Sequence, residues 1–126
     1  MFRNNHIHYQ FKKGEVIATH LQTNKSVTKR CEALAHPRTL MGNFYEIDHC
    51  VKVMSKEVFS KSIFDKAPIA IVQLFGPSDG GYTNVELRAF REVMFGSGIR
   101  DVYFPDSTLL LSGVDMINRN YTCFKE

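Results

Sequence analysis

The sequence predicts an α/β fold: one small domain in which a β-hairpin joins a mixed sheet with flanking helices, in the order β-β-α-β-α-β. Three observations predict it. Residues 6–21 form two extended runs around a glycine-bearing turn. Residues 43–60 carry an apolar stripe at helical spacing behind a capping residue. Residues 68–75 are almost continuously apolar, and a second capped helix and another extended run follow them. The 126 residues, 44% hydrophobic and 23% charged, suit one domain over 1–126 that buries a core without cross-links.

In the hairpin, Ile7, Tyr9 and Phe11 point one way and His6, His8 and Gln10 the other. Lys12-Lys13-Gly14 makes the turn, Glu15–Leu21 returns, and polar Gln22–Lys25 closes the unit. Over Ser26–Gly42, Cys31, Ala33 and Leu34 indicate a short helix or an irregular connection, and Pro37 stops anything longer. Asn43–Ser60 is the clearest helix. Asn43 caps it with Glu46 three residues on, and Ile47, Cys50, Val51, Met54 and Val58 form its stripe. Pro68–Phe75 reads as a strand buried on both faces. The loop Gly76–Gly81 leads to a helix capped by Thr83 and Glu86, with Leu87, Phe90, Val93 and Met94 inward and Gly96 or Gly98 ending it. Ile99–Phe104 is a further strand, so residues 68–104 make a right-handed βαβ unit. Ser107–Leu111 suggests another strand and Gly113–Asn120 a terminal helix.

The longest apolar runs, Ile69–Val72 and Leu109–Leu111, are far too short to span a bilayer, and Met1–His6 lacks the apolar stretch of a secretory signal. The expectation is a cytoplasmic protein with no membrane insertion. A net charge of +3 is too small to imply a nucleic-acid binder, and weak binding by the basic N-terminal third is the third reading after the two given below. The charge is uneven, however: residues 1–42 hold seven Lys and Arg against two Glu, clustered at Lys12-Lys13, Lys25, Lys29-Arg30 and Arg38. Cys31, Cys50 and Cys123 are odd in number, none lies in a C-x-x-C pair, and they read as reduced, partly buried thiols.

Two constellations could carry chemistry. The 76–83 loop sits between a strand and a helix start, the setting of an anion site, with Gly80, Gly81 and Thr83 as candidates. It lacks the Gly-Lys-Ser/Thr ending of a phosphate loop, and Asp79 would repel phosphate, so the plain reading is a connection. The second is a possible metal set, His6, His8 and His20. A three-residue hairpin turn would set His20 opposite His6, whereas a two-residue turn would send it to the other face. Solvated histidines are the plain reading. Ser78 and Ser112 lack a nucleophile elbow, and Cys50 lies on the apolar stripe beside His49. With no complete catalytic motif, a non-enzymatic chain without a cofactor is expected.

A family pattern also runs through the chain. Ala67-Pro68-Ile69-Ala70-Ile71-Val72, then Pro77, then Thr83-Asn84-Val85-Glu86-Leu87-Arg88-Ala89, then Gly98-Ile99-Arg100-Asp101-Val102-Tyr103 resembles the actin-like rod-shape-determining proteins, the MreB family. The hairpin Ile7–Leu21 and the helix after Gly42-Asn43 resemble that family's early elements, so the likeness covers residues 6–106 in matching order. It implies the N-terminal subdomain of an actin/ribonuclease-H-like fold. The family's Asp-x-Gly-Thr phosphate loop would lie before His6, and Pro105-Asp106-Ser107 stands where the family has Glu-Glu-Pro. The expectation is therefore no ATP hydrolysis and no nucleotide-built filament. A protein-interaction or self-associating module linked to cell-shape or cytoskeletal proteins is expected instead, with dimerisation through the exposed hairpin edge. The alternative is a small-molecule or metal-binding protein, or an enzyme, using the 76–83 loop or the hairpin histidines.

Overall fold

β1 (His6–Lys12) and β2 (Glu15–His20) form the hairpin across the two-residue turn Lys13-Gly14. Gly14 sits at φ +80°, which a side chain would resist. In the computed structural model, which describes residues 4–76 and 81–125, the predicted α/β class is what the chain adopts. After the hairpin come β3 (Lys25–Arg30), a 3-10 turn at Glu32–Ala35, α1 (Phe44–Val58), β4 (Ile69–Leu74), α2 (Asn84–Gly96), β5 (Asp101–Tyr103) and α3 (Gly113–Ile117). The sheet order is β3-β2-β1-β4-β5. β1 pairs antiparallel with β2 and parallel with β4, so β2 alone runs against the other four strands.

One face of the sheet carries the main core. Tyr9 and Phe11 of β1, Val16 and Ala18 of β2, and Ala70 and Val72 of β4 pack beneath Ile47, Val51 and Met54 of α1 and Leu87, Phe90 and Met94 of α2. The Phe11 and Phe90 rings lie 4.8 Å apart, and the buried Tyr9 hydroxyl is matched to Ser55 Oγ at 2.7 Å. Caps set both helix starts. The Asn43 side chain accepts from the Glu46 N–H, and Thr83 and Glu86 make both halves of a capping box. Gly76 is required where it stands, since a Cβ there would run into the Leu40 side chain.

The opposite face is covered by the chain after β5. Gln73 Nε2 donates to the Leu109 carbonyl, the Leu111 N–H donates back to Gln73 Oε1, and the Arg119 guanidinium lies 5.0 Å over the Tyr103 ring. All six residues of β4 are therefore buried, as its unbroken apolarity predicts.

Two expectations fail. The polar stretch expected to close the hairpin holds only a turn, Leu21–Asn24 with Asn24 at φ +61°, and a third strand, β3, begins at Lys25. Its residues are exposed or half-buried on both faces, so they carry no apolar alternation. Ser107–Leu111 is not a strand: the Leu109 carbonyl and Leu111 N–H are taken by the Gln73 side chain. The observed order is β-β-β-α-β-α-β-α rather than β-β-α-β-α-β. β5 is also shorter than expected, three residues instead of Ile99–Phe104.

Candidate functional site

The hairpin register decides the histidines. Lys12 pairs with Glu15 and Ile7 with His20, so His20 joins the helix-covered face while His6 and His8 lie on the other. The three imidazoles are not brought together. Among the described residues no group of three His, Cys, Asp or Glu is placed to hold a metal ion. His6 accepts at Nδ1 from the Gln22 amide, and burial lowers its pKa, with Arg100 and Arg119 adding to the effect. His8 is 3% exposed, and its Nε2 lies 2.9 Å from Gln73 Oε1. That oxygen is an acceptor, because it also takes the Leu111 N–H, so His8 donates from Nε2. Burial pushes the His8 pKa down to about 4.

His20 lines a depression of about 830 Å³ between the Leu21–Asn24 turn and the chain after α1. The depression is walled by Asn5, Thr23, Lys25, Phe59 and Asp65. Asn5, His20 and Asp65 are each 5% exposed, and their hydrogen bonds form one relay. Asn5 Nδ2 donates to Asp65 Oδ1 at 3.0 Å, which leaves Asn5 Oδ1 as acceptor for His20 Nε2 at 2.8 Å. His20 Nδ1 is then free to accept from the Thr23 hydroxyl at 2.8 Å. The His20 ring rests against Phe59, centroids 4.9 Å apart. Burial lowers the His20 pKa and the Asp65 charge partly opposes this. Chemically the relay is a hydroxyl, a base and an orienting amide backed by a carboxylate. It is also the staple of the turn.

Of the anion-site candidates, Gly80 lies outside the described residues, as do Pro77, Ser78 and Asp79. Gly81 is exposed at φ +95°, and Thr83 is exposed at the start of α2. The Thr83 N–H donates to Glu86 Oε1 at 3.0 Å. A carboxylate of the chain itself thus occupies the position that an anion would take at this helix start. The base of the loop is clasped by Tyr82, whose hydroxyl donates to the Gly76 carbonyl at 2.7 Å and accepts from the Gly76 N–H.

The hairpin edge expected to be exposed is covered: β3 lies against β2 and forms the sheet edge itself. The Cys31 N–H donates to the Gly14 carbonyl, so the alternation along an antiparallel pair turns Val27 and Lys29 inward to β2. Ser26, Thr28 and Arg30 direct their backbone N–H and C=O groups outward. The side chains of this edge include Lys25, Lys29 and Arg30, and Arg30 meets Glu32 at 3.1 Å in an exposed pair. A further apolar surface, Leu109, Leu110, Val114 and Ile117, lies on the segment covering the second face. The thiols differ in setting: Cys31 is buried, Cys50 half-buried and Cys123 exposed.

Sequence reasoning singled out His20 but missed Asn5 and Asp65, whose partnership spans sixty residues of chain. No local signal announces it. No helix among the described residues is long and apolar enough to cross a membrane. No family model matches the chain, and a search of curated proteins finds no match. The functional reading is accordingly carried by the edge strand, the His20 depression and the thiols.

Proposed function

We propose that this chain is a non-catalytic, actin-like interaction module that binds an acidic, extended segment of a partner protein along β3. The observation that carries it is the outward backbone of Ser26, Thr28 and Arg30 on an edge strand bearing Lys25, Lys29 and Arg30. An added strand gains main-chain hydrogen bonds there, and acidic side chains gain the basic ones. A second copy adding antiparallel would crowd two sets of these cations into one ladder, which disfavours self-association at this edge. The MreB resemblance and the run of hairpin, long helix, buried strand and capped helix support the actin-like part. They make cell-shape or cytoskeletal proteins the partners to look for.

The test is binding of a Glu-Val alternating peptide, compared with its Lys-Val counterpart. The Glu peptide should bind, and more weakly as salt is added. Thr28→Pro removes an outward N–H at a position where an edge strand tolerates proline, so it should abolish binding with the circular dichroism spectrum unchanged. Equal binding by Thr28→Pro, or none by the native chain, rejects β3 as the docking edge. A concentration-dependent dimer would favour self-association instead.

A second reading, a small-molecule binding protein, is favoured by the His20 depression with its buried relay and basic rim at Lys25. His20→Phe keeps a ring against Phe59 and removes both imidazole bonds. A small molecule that stabilises the native chain but not this variant would support that reading.

A further inference from the structure

We propose that Cys31 and Cys50 are a thiol modification site, closing to a reversible disulfide by exchange with a small-molecule disulfide of the glutathione type. Two elements distant in sequence bring these residues to one hollow. Cys31 follows β3 directly, and its backbone is pinned by the bond from its N–H to the Gly14 carbonyl. Cys50 stands on α1, between Ile47 and Val51 of the buried stripe but rotated toward solvent. Both thiols line one hollow of about 410 Å³ with Ala33, Tyr45 and His49. Cys50 is half-buried at this hollow and Cys31 is 3% exposed behind it.

That difference in access sets the order of the chemistry. The Cys50 thiolate attacks one sulfur of the small-molecule disulfide, forming a mixed disulfide and releasing one thiolate. Cys31 then gives up its proton and attacks Cys50 Sγ, and the second small thiol leaves. Two protein S–H bonds are exchanged for one S–S bond, and one small-molecule disulfide is reduced to two thiols. Burial pushes the Cys31 thiol up to about 12, with Cys50 beside it adding to the shift, which suits Cys31 to the second step and not to the first. Closure ties the end of the edge strand to α1.

The experiment treats the purified full chain with oxidised glutathione without denaturant, blocks remaining thiols and maps the peptides. The expected product joins Cys31 to Cys50 with loss of two hydrogens, while exposed Cys123 carries a glutathione adduct. Cys31→Ser should trap Cys50 as a stable glutathione adduct, and Cys50→Ser should leave Cys31 a free thiol. Oxidation of Cys123→Ser should raise the melting temperature by roughly 5 °C, and dithiothreitol should reverse the rise. A stable adduct at Cys50 of the native chain, or unreacted thiols at both positions while Cys123 is modified, overturns the proposal.

Discussion

His8 shows how burial fixes a charge state. Its ring is enclosed on the second face of the sheet and donates to Gln73, so protonation would put an unmatched charge where there is little water. The group has its ordinary value of 6.5 in the unfolded chain and about 4 in the folded one. Below pH 6.5 the unfolded chain therefore binds the extra proton first. About 3 kcal/mol of stability, fully present above pH 6.5, is lost as pH falls to about 4. His8→Gln keeps a donor for Gln73 and removes the titration, so urea midpoints measured from pH 7 to 4 should fall less steeply than those of the native chain. Which histidines share a face was only conditionally legible. Both turn lengths fit Lys12-Lys13-Gly14, and one residue of register exchanges His20 between faces. The Asn5–Asp65 bond was illegible, because a polar pair buried by chain closure leaves no periodic trace.

At the scale of elements, apolar patterning and capping chemistry were readable wherever a segment buries one face. The α1 stripe, apart from half-buried Cys50, and the Thr83–Glu86 box appear where spacing put them. Thr83→Ala removes the acceptor for the Glu86 N–H and should cost about 1 kcal/mol in a urea titration. β3 escaped notice for the converse reason: an edge strand with Lys25, Lys29 and Arg30 buries little on either side. Its pairing is recorded in β2, not in its own residues. Ser107–Leu111 misled because its aliphatic residues look like a strand, whereas its backbone answers a buried glutamine. Gln73→Leu should leave the Leu111 and His8 N–H groups without this partner. The segment after β5 should then loosen, read as faster amide exchange at Leu109–Leu111.

In the whole molecule, the class of fold was legible from alternation, capping and one apolar run, while the sheet order was not. The parallel pairing of β1 with β4 matches His6 to Ile69 and Phe11 to Leu74, a constant offset of 63 residues, and no local feature encodes it. Contacts of such separation slow folding. The chain has no Trp, so tyrosine fluorescence in a stopped-flow instrument is the suitable probe. It should show refolding in milliseconds to seconds rather than microseconds. The same offset bears on synthesis. Ribosomes build from the N-terminus, and β1 emerges long before the strand that will lie against its other side. Until Leu74 has cleared the exit tunnel, the nascent hairpin offers one side of β1 to any passing strand. The first half of this chain should therefore be the part that a chaperone holds and a protease cuts.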